Sequence, residues 1–575
     1  MLTLRHFIGP RALLAIVAAG APSLLAYNVS PSPTFLNQAL AIALWGWFVV
    51  AAPPPAGPAS RGAGSLFTAL ALTITAVFWS WGPGALPSGL ALSAIGLLLA
   101  TAVLLASGAA AHSRSDASTA FGDFCLGWVV AGVLNVGIAM IQVFLPDLPD
   151  GDWIAHSGIP GRAVGNLRQP NHLSSVLLWS AIAVVALVEL RRIGRRSAAM
   201  LFTLMIFAVV LTASRTGLLS VGLLAIWGLA DRRLSRPTRA LLLAAPLVYA
   251  AGWFGMAEWA KLSEHTFGGT ARLAEADISG SRFGIWRDTL ALIRQQPWAG
   301  VGFGEFNFAW TLTPFPGRPV AFFDHAHNLP LQLAAELGLP LAAAVMLLLL
   351  HALWRAARLA LRADGELGLG RRCALLMVLM IGLHSLLEYP LWYSYFLLPA
   401  AWAWAFAVGE PGQPAPRTTG PARPSPALVA GGVALVVGSV LAVLDYQRVT
   451  AIFSADEGAP PLESRIARGR HSVLFAHHAD YAAATTDSQQ SQGLAPFDRA
   501  THYLLDTRLM TAWAKALAAH GDVDAARFLA ARLREFRNPQ SEDFFEACKP
   551  PAASAPAFQC EAPQRELDWR EFERP

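Results

Sequence analysis

Residues 173–217 read LSSVLLWSAIAVVALVELRRIGRRSAAMLFTLMIFAVVLTASRTG. Two apolar runs, 173–190 and 197–213, flank Arg191, Arg192, Arg195 and Arg196, and the second run meets a third at Ser214–Arg215. At 1.5 Å per residue, runs of this length cross most or all of a hydrocarbon layer of about 30 Å as helices. The pattern recurs along the chain, which is 54% hydrophobic and 14% charged, with mean hydropathy +0.44. Soluble domains carry about 25% charged residues. Further runs lie near 12–27, 34–52, 65–82, 88–107, 120–145, 216–230, 240–258, 328–354, 373–388, 391–409 and 426–445. The fold class expected is therefore all-α, a polytopic transmembrane helical bundle of about thirteen spans. The runs are too long for barrel strands.

Arginine placement orients the bundle. The cluster at 191–196 is joined by Arg232, Arg233, Arg236 and Arg239, and by Arg355, Arg358, Arg362, Arg371 and Arg372. All three fall on one side, with Arg5 and Arg11, and short Arg-rich loops mark the cytoplasmic side. The opposite side then carries 146–172, Ser214–Arg215, the long stretch 259–327, Glu388–Pro390 and everything after about Asp445. The sequence pI near 9.2 reflects these loops rather than a nucleic-acid footprint, so no nucleic acid is expected. The run from Ala12 to Tyr27 reads as an uncleaved first span.

Four segments follow: membrane helices in 1–258, a long loop with an amphipathic helix on the non-cytoplasmic side in 259–327, membrane helices in 328–445, and a helical domain on that same side in 446–575; the resemblance described below makes that side periplasmic. Residues 410–425, EPGQPAPRTTGPARPS, read as a proline-rich linker. In the tail, TAWAKALAAHGDVDAARFLAARLREF has helical periodicity on both sides of His520-Gly521-Asp522, half of a tetratricopeptide-like unit. Cys125 and Cys373 fall in apolar runs, and Cys548 and Cys560 in the tail either pair or stay free.

The polar motifs collect on the non-arginine-loop side. Residues 161–172, GRAVGNLRQPNH, offer Arg162 and Arg168 as planar forks for phosphate. Pro170 biases Gln169 to extended geometry, and Asn171 follows. Thr212–Gly217 interrupts an apolar hairpin with Arg215, which faces a polar interior, a partner or the headgroups. Ser281 is a candidate cap for an amphipathic helix with Arg282 at its N-terminal end, an arrangement suited to an anion. Pro297–Gly304 is a tight glycine turn, not a nucleotide loop. Phe322–Gly338, FFDHAHNLPLQLAAELG, holds His325, His327 and Asn328 before a helix-like run, and 384–393, HSLLEYPLWY, holds Glu388 and Tyr389 at a hairpin end. A headgroup loop or an aromatic belt is the plainer reading of each motif alone.

Together these residues suit an anionic, membrane-anchored donor such as a polyprenyl diphosphate sugar. Arginines would stabilise the charge that grows on the leaving diphosphate, and a neutral imidazole would take the proton of an acceptor hydroxyl. No metal-ligand cluster stands out, so chemistry without a metal or cofactor is expected. His325-x-His327 lacks a third nearby His or Cys.

GNLRQPNHLS at 165–174, TASRTG at 212–217, SRFGIW at 281–286, DHAHNLPLQLAAELG at 324–338 and HSLLEYPLWYSYFLLP at 384–399 resemble the O-antigen ligase and polymerase superfamily. Within it they look most like the bacterial protein O-oligosaccharyltransferases of the pilin-glycosylating type. The resemblance implies inverting, metal-independent, en bloc transfer of an oligosaccharide from undecaprenyl diphosphate to Ser or Thr of an exported protein, at the periplasmic face of the bacterial inner membrane. It implies His327 as the essential histidine, Arg215 and Arg282 at the diphosphate, and Gln169 and Tyr389 at positions important in the protein-glycosylating branch. Glu388 joins Tyr389 as a catalytic candidate, Arg168 joins the diphosphate set, and Asn171, His325 and Asn328 are supporting. Three other functions stay open: ligation to lipid A–core, transport of the lipid-linked glycan, and a structural envelope role.

Overall fold

The computed structural model describes residues 9–51, 61–263, 265–274, 278–410, 425–455, 458–486, 493–549 and 557–573, with backbone alone at 61, 272–274 and 278–281. The expected linker, Arg5 and part of the final Pro-rich stretch lie outside the described residues. Every regular element among the described residues is helical. Each expected apolar run coincides with a helix. Among the described residues nine helices are long and apolar enough to cross a membrane, and four more, Pro10–Leu24, Phe35–Ala51, Arg215–Ala230 and Ser394–Val408, are apolar but shorter. The chain is a multi-pass membrane protein. It divides into two compact units: Met1–Leu70 with Leu99–Ala276 and Leu348–Leu441, and Ala71–Leu98 with Asp277–Leu347 and Ala442–Pro575.

The first unit is built around Pro170–Glu189, which is buried along nearly its whole length. It packs against Ala117–Phe144, Arg195–Thr212 and Gly365–Ser385. Helices in lipid associate by close packing rather than hydrophobic exclusion, which favours small residues where backbones meet. Gly127 is one such point, since a Cβ there would lie 2.4 Å from the Ala15 carbonyl oxygen.

The arginine-rich loops meet at one end of this unit. Arg11 pairs with Asp116 at 2.8 Å and Asp123 at 2.7 Å, and Arg192 reaches Asp123 at 2.8 Å. Glu189 accepts from Ser235 and Thr238. Arg372 pairs with Asp231 at 2.7 Å, and Arg233 with Asp364 at 2.6 Å. The three clusters are thus linked to one another. The other ends of the same helices, about 30 Å away for a helix of 20 residues, carry Gln169–Asn171, Ser214–Arg215 and Glu388.

In the second unit the long loop and the tail share a core. Phe306, Phe308 and Trp310 pack with Leu509, Trp513, Leu529 and Phe536, and Phe322 stacks on Phe536 with centroids 3.9 Å apart. Composition separates 259–327 from 446–575; this core joins the loop residues from Ile285 on to the tail. The expected helix–turn–helix is present as Thr507–Ala519 and Val523–Phe536, with Asp522 capping the second helix through Ala525 N–H. Gly521 turns between them at φ +91°, a conformation that glycine adopts without a Cβ clash. Arg318 is fully buried. Its guanidinium lies over Phe536 at 4.4 Å and near Glu535 at 3.3 Å, and burial pushes its pKa down to about 10. Cys548 and Cys560 form a disulfide, while Cys125 and Cys373 are buried thiols.

The loop helix runs Ile278–Gln295. Ser281 therefore lies inside the helix rather than at its cap, with its side chain outside the described residues. Arg282 sits in the second turn, so the N-terminal anion arrangement read from the sequence does not form there.

A buried ion pair fastens loop to tail. His502 Nδ1 lies 2.7 Å from Glu305 Oε2. Burial works against the imidazolium, but the Glu305 charge and hydrogen bond outweigh it and raise the His502 pKa. The stabilisation is complete below the unfolded histidine pKa of about 6.5 and is lost as pH rises through the raised folded value. Hydrogen exchange of the tail should therefore speed up as pH is raised from 6 to 8, after correction for intrinsic rates. Glu305→Gln should flatten that dependence and lower protection at pH 6 by about 1–3 kcal/mol.

Candidate active site

At the non-arginine end of the first unit, pre-proline sterics hold Gln169 extended at φ −144°, ψ 119°. Its side-chain oxygen caps the Pro170 helix by accepting from Asn171 N–H at 2.5 Å and His172 N–H at 3.0 Å. That fixes the amide orientation, so Nε2 donates to Glu388 Oε2 at 2.7 Å. Asn171 Nδ2 donates to Glu388 Oε1 at 2.5 Å. His384, one turn before Glu388, places Nε2 at 3.2 Å from Oε2, and its Nδ1 faces Ser175 Oγ at 2.8 Å. Both oxygens of the buried carboxylate are thus engaged. Asn171 Oδ1 in turn accepts from Ser214 Oγ, which caps Arg215–Ala230 by accepting from Gly217 N–H at 2.9 Å. Ala213 precedes the cap in the left-handed region, at φ +48°.

This network leaves the arginines in different roles. Arg215, the first residue of its helix, is exposed, and among the described residues it has no hydrogen-bond or ion-pair partner. Arg168 is engaged by the Ala26 carbonyl at 2.6 Å. Arg162 is buried and donates to the Thr212 carbonyl at 2.9 Å. Both read as phosphate forks from sequence; in the fold they tie loops to the bundle. Tyr389 is half-buried and stacks on Tyr393 with centroids 6.1 Å apart.

The second unit holds His327, half-buried at φ +52°, a conformation that costs a non-glycine residue about 1–2 kcal/mol. Its ring meets Phe323 edge-on at 5.6 Å. His325 Nδ1 lies 3.2 Å from Asp324 Oδ2. Burial of Asp324 favours its neutral form, but the two histidines outweigh this and hold its carboxyl below the usual range. Asn328 caps Leu329–Arg362 by accepting from Leu331 N–H at 3.1 Å.

That helix breaks at Gly338, φ +73°. Pro340 has no N–H to give the Glu336 carbonyl, and Leu339 N–H turns away to Pro297 O at 2.7 Å. The two freed carbonyls are taken by neighbours: Val301 N–H reaches Ala335 O at 2.8 Å, and Gly302 N–H reaches Glu336 O at 3.0 Å. The Pro297–Gly304 turn read from sequence is the complement of this break.

Three known families match. Residues 200–346 match the O-antigen ligase family, 373–545 the C-terminal domain of virulence factor membrane-bound polymerases, and 163–188 the protein glycosylation ligase family. Each match covers less than half of the chain, and together they mark a similarity to the O-antigen ligase superfamily. It is 29% identical over 265 residues to a general O-oligosaccharyltransferase of Acinetobacter baylyi, covering 43% of this chain and 45% of that one. It is 24% identical over 285 residues to a ComP-specific O-oligosaccharyltransferase of the same organism, covering 48% and 49%. The chain spans about half the length of the curated relatives it matches.

The first unit collects Gln169, Asn171 and Glu388, and the second places His325, His327 and Asn328 in one turn. Sequence reading gave no role to Ser214, Ser175, His172 or His384. The spacing of His384 and Glu388, four residues apart at a helix end, was the available signal. His172, His384 and Glu388 also form the group able to hold a metal among the described residues, with ligand atoms within 4.8 Å of one another. Hydrogen bonds already occupy them: Tyr395 OH faces His172 Nδ1 at 3.1 Å, and Glu388 is engaged as above.

Glu388→Gln would leave three donors facing one acceptor oxygen. It should lower stability by about 1–3 kcal/mol, read as a fall in Tm of the detergent-purified protein. Loss of activity with an unchanged Tm would instead mark Glu388 as a reacting group rather than an anchor.

Proposed function

We propose that the protein is an oligosaccharyltransferase that moves a preassembled oligosaccharide from a polyprenyl diphosphate, undecaprenyl diphosphate in bacteria, to Ser or Thr hydroxyls of exported proteins of the pilin type. One observation carries this reading. The protein glycosylation ligase match covers 163–188, the segment that supplies Gln169 and Asn171 to the buried network. The names of the two Acinetobacter baylyi relatives point the same way.

In the proposed reaction the acceptor oxygen attacks the anomeric carbon from the face opposite the diphosphate. The C–O bond to the diphosphate breaks, and the configuration inverts. His327 takes the hydroxyl proton as the new bond forms. Charge develops on the departing diphosphate, where Arg215 and Arg282 offer guanidinium forks. Tyr389 orients substrate. Gln169, Asn171 and Glu388 hold the frame behind it, with His325 and Asn328 shaping the His327 turn. The proposed location is the periplasmic face of the inner membrane, and no metal takes part. The Cys548–Cys560 bond supports an oxidising compartment for the tail.

The test is reconstitution with lipid-linked oligosaccharide and two acceptors, a pilin-like protein and lipid A–core. Transfer to the protein alone is the expected result; transfer to lipid A–core alone would make it a ligase. His327→Ala should lower transfer by about 10²–10⁴-fold, the usual contribution of a general base, with normal membrane insertion. Arg215→Lys should also be poor, because an ammonium cannot grip two oxygens in one plane. A fully active His327→Ala would remove the proposed base.

A further inference from the structure

The peptide between His325 and His327 is held on both sides. Ala326 is fully buried. Its N–H donates to Gln332 Oε1 at 2.7 Å, and its carbonyl accepts from the Trp286 indole N–H at 3.1 Å. Gln332 is itself buried, and its Nε2 donates to Glu336 Oε1 at 2.9 Å. Gln332 and Glu336 stand four residues apart, so they share one face of the Leu329 helix. The Ala326 N–H fixes which end of the Gln332 amide meets it, because only the amide oxygen accepts, and this leaves the NH₂ group for Glu336. Glu336 is anchored in turn by the helix break, where its own carbonyl accepts from Gly302 N–H at 3.0 Å.

We infer that Gln332 is a positioning residue for the transfer reaction. Oriented by Glu336 and opposed by Trp286, it locks the Ala326 peptide and so keeps His327 in its left-handed conformation, with the imidazole presented for proton transfer. The inference rests on the reading of His327 as the base. Its chemistry is purely geometric: no proton passes through Gln332, and no bond is made to it.

The test compares Gln332→Met, which keeps the length and loses both hydrogen bonds, with Glu336→Gln, whose side-chain oxygen still accepts from Gln332. Both are reconstituted in nanodiscs and read by hydrogen–deuterium exchange over 322–331 and by transfer kinetics with lipid-linked oligosaccharide. Gln332→Met should exchange faster in that peptide and nowhere else. Its kcat should fall about 10–100-fold, the scale of a misplaced catalytic group, with the donor KM unchanged. Glu336→Gln should move both readouts in the same direction as Gln332→Met but by less, because its oxygen still accepts from Gln332 while its NH₂ faces the Gly304 and Phe306 N–H donors. Trp286→Phe removes the opposite hydrogen bond from a different helix and should move both readouts in the same direction as Gln332→Met; it carries the test if Gln332→Met does not insert. Unchanged exchange in Gln332→Met overturns the clamp. Faster exchange with wild-type transfer overturns the positioning role. His327→Ala then tells separately whether the assignment of the base survives.

Discussion

A carboxylate buried where water is scarce must find its donors inside the protein, and much of the first unit's polar architecture follows from that constraint. Glu388 follows the Gly365 helix by three residues and accepts from the start of the Pro170 helix through Gln169 and Asn171. Asn171 passes the connection to Ser214, and Ser214 caps the helix that Arg215 begins. Three helix termini are therefore set by one chain of hydrogen bonds. Gln169 is an unusual cap, since shorter side chains are preferred there. The extra length lets its oxygen satisfy the helix while its amide nitrogen reaches the carboxylate, which a serine could not do.

The second unit meets the same constraint at its helix break. A proline and a left-handed glycine free backbone groups that would be costly to leave unpaired. The 297–302 turn supplies one acceptor and two donors to match them. Its glycines have a packing reason: a Cβ on Gly300 would lie 2.5 Å from the Glu336 backbone, and one on Gly338 would lie 2.2 Å from Trp298 O. Loop, broken helix and histidine turn are thus one construction, and the tail packs on the same core through Phe536 and Trp513.

The helices were legible in the sequence because lipid demands long apolar runs, and the grouping of the arginine loops was legible because charges cannot stay in hydrocarbon. The sequence motifs also placed Gln169 with Glu388 on one side of the bundle, though not in one another's reach. What escaped was pairing at a distance. Nothing local to Glu305 announces His502, and nothing local to Arg318 announces Glu535 or Phe536. A polar loop and a polar tail look independent when their shared core is made of aromatics scattered among charged residues. The Ser281 reading failed for a related reason: Ser is a common cap, but the helix already begins at Ile278.

Arg162, Arg168 and Arg215 show how far residue type can be carried. All three sit in motifs that suit a phosphate, and guanidinium groups also donate to backbone carbonyl oxygens. In the fold, backbone carbonyls at Thr212 and Ala26 engage the first two. Arg215 is different: it begins a helix that Ser214 caps, and its side chain is exposed at that helix N-terminus. The first N–H groups of a helix favour negative charge, and a cation there gains nothing from its own helix dipole. In the proposed reaction that place is where an anion arrives from outside, and a tetrahedral phosphate of the diphosphate presents a pair of oxygens to the planar guanidinium fork.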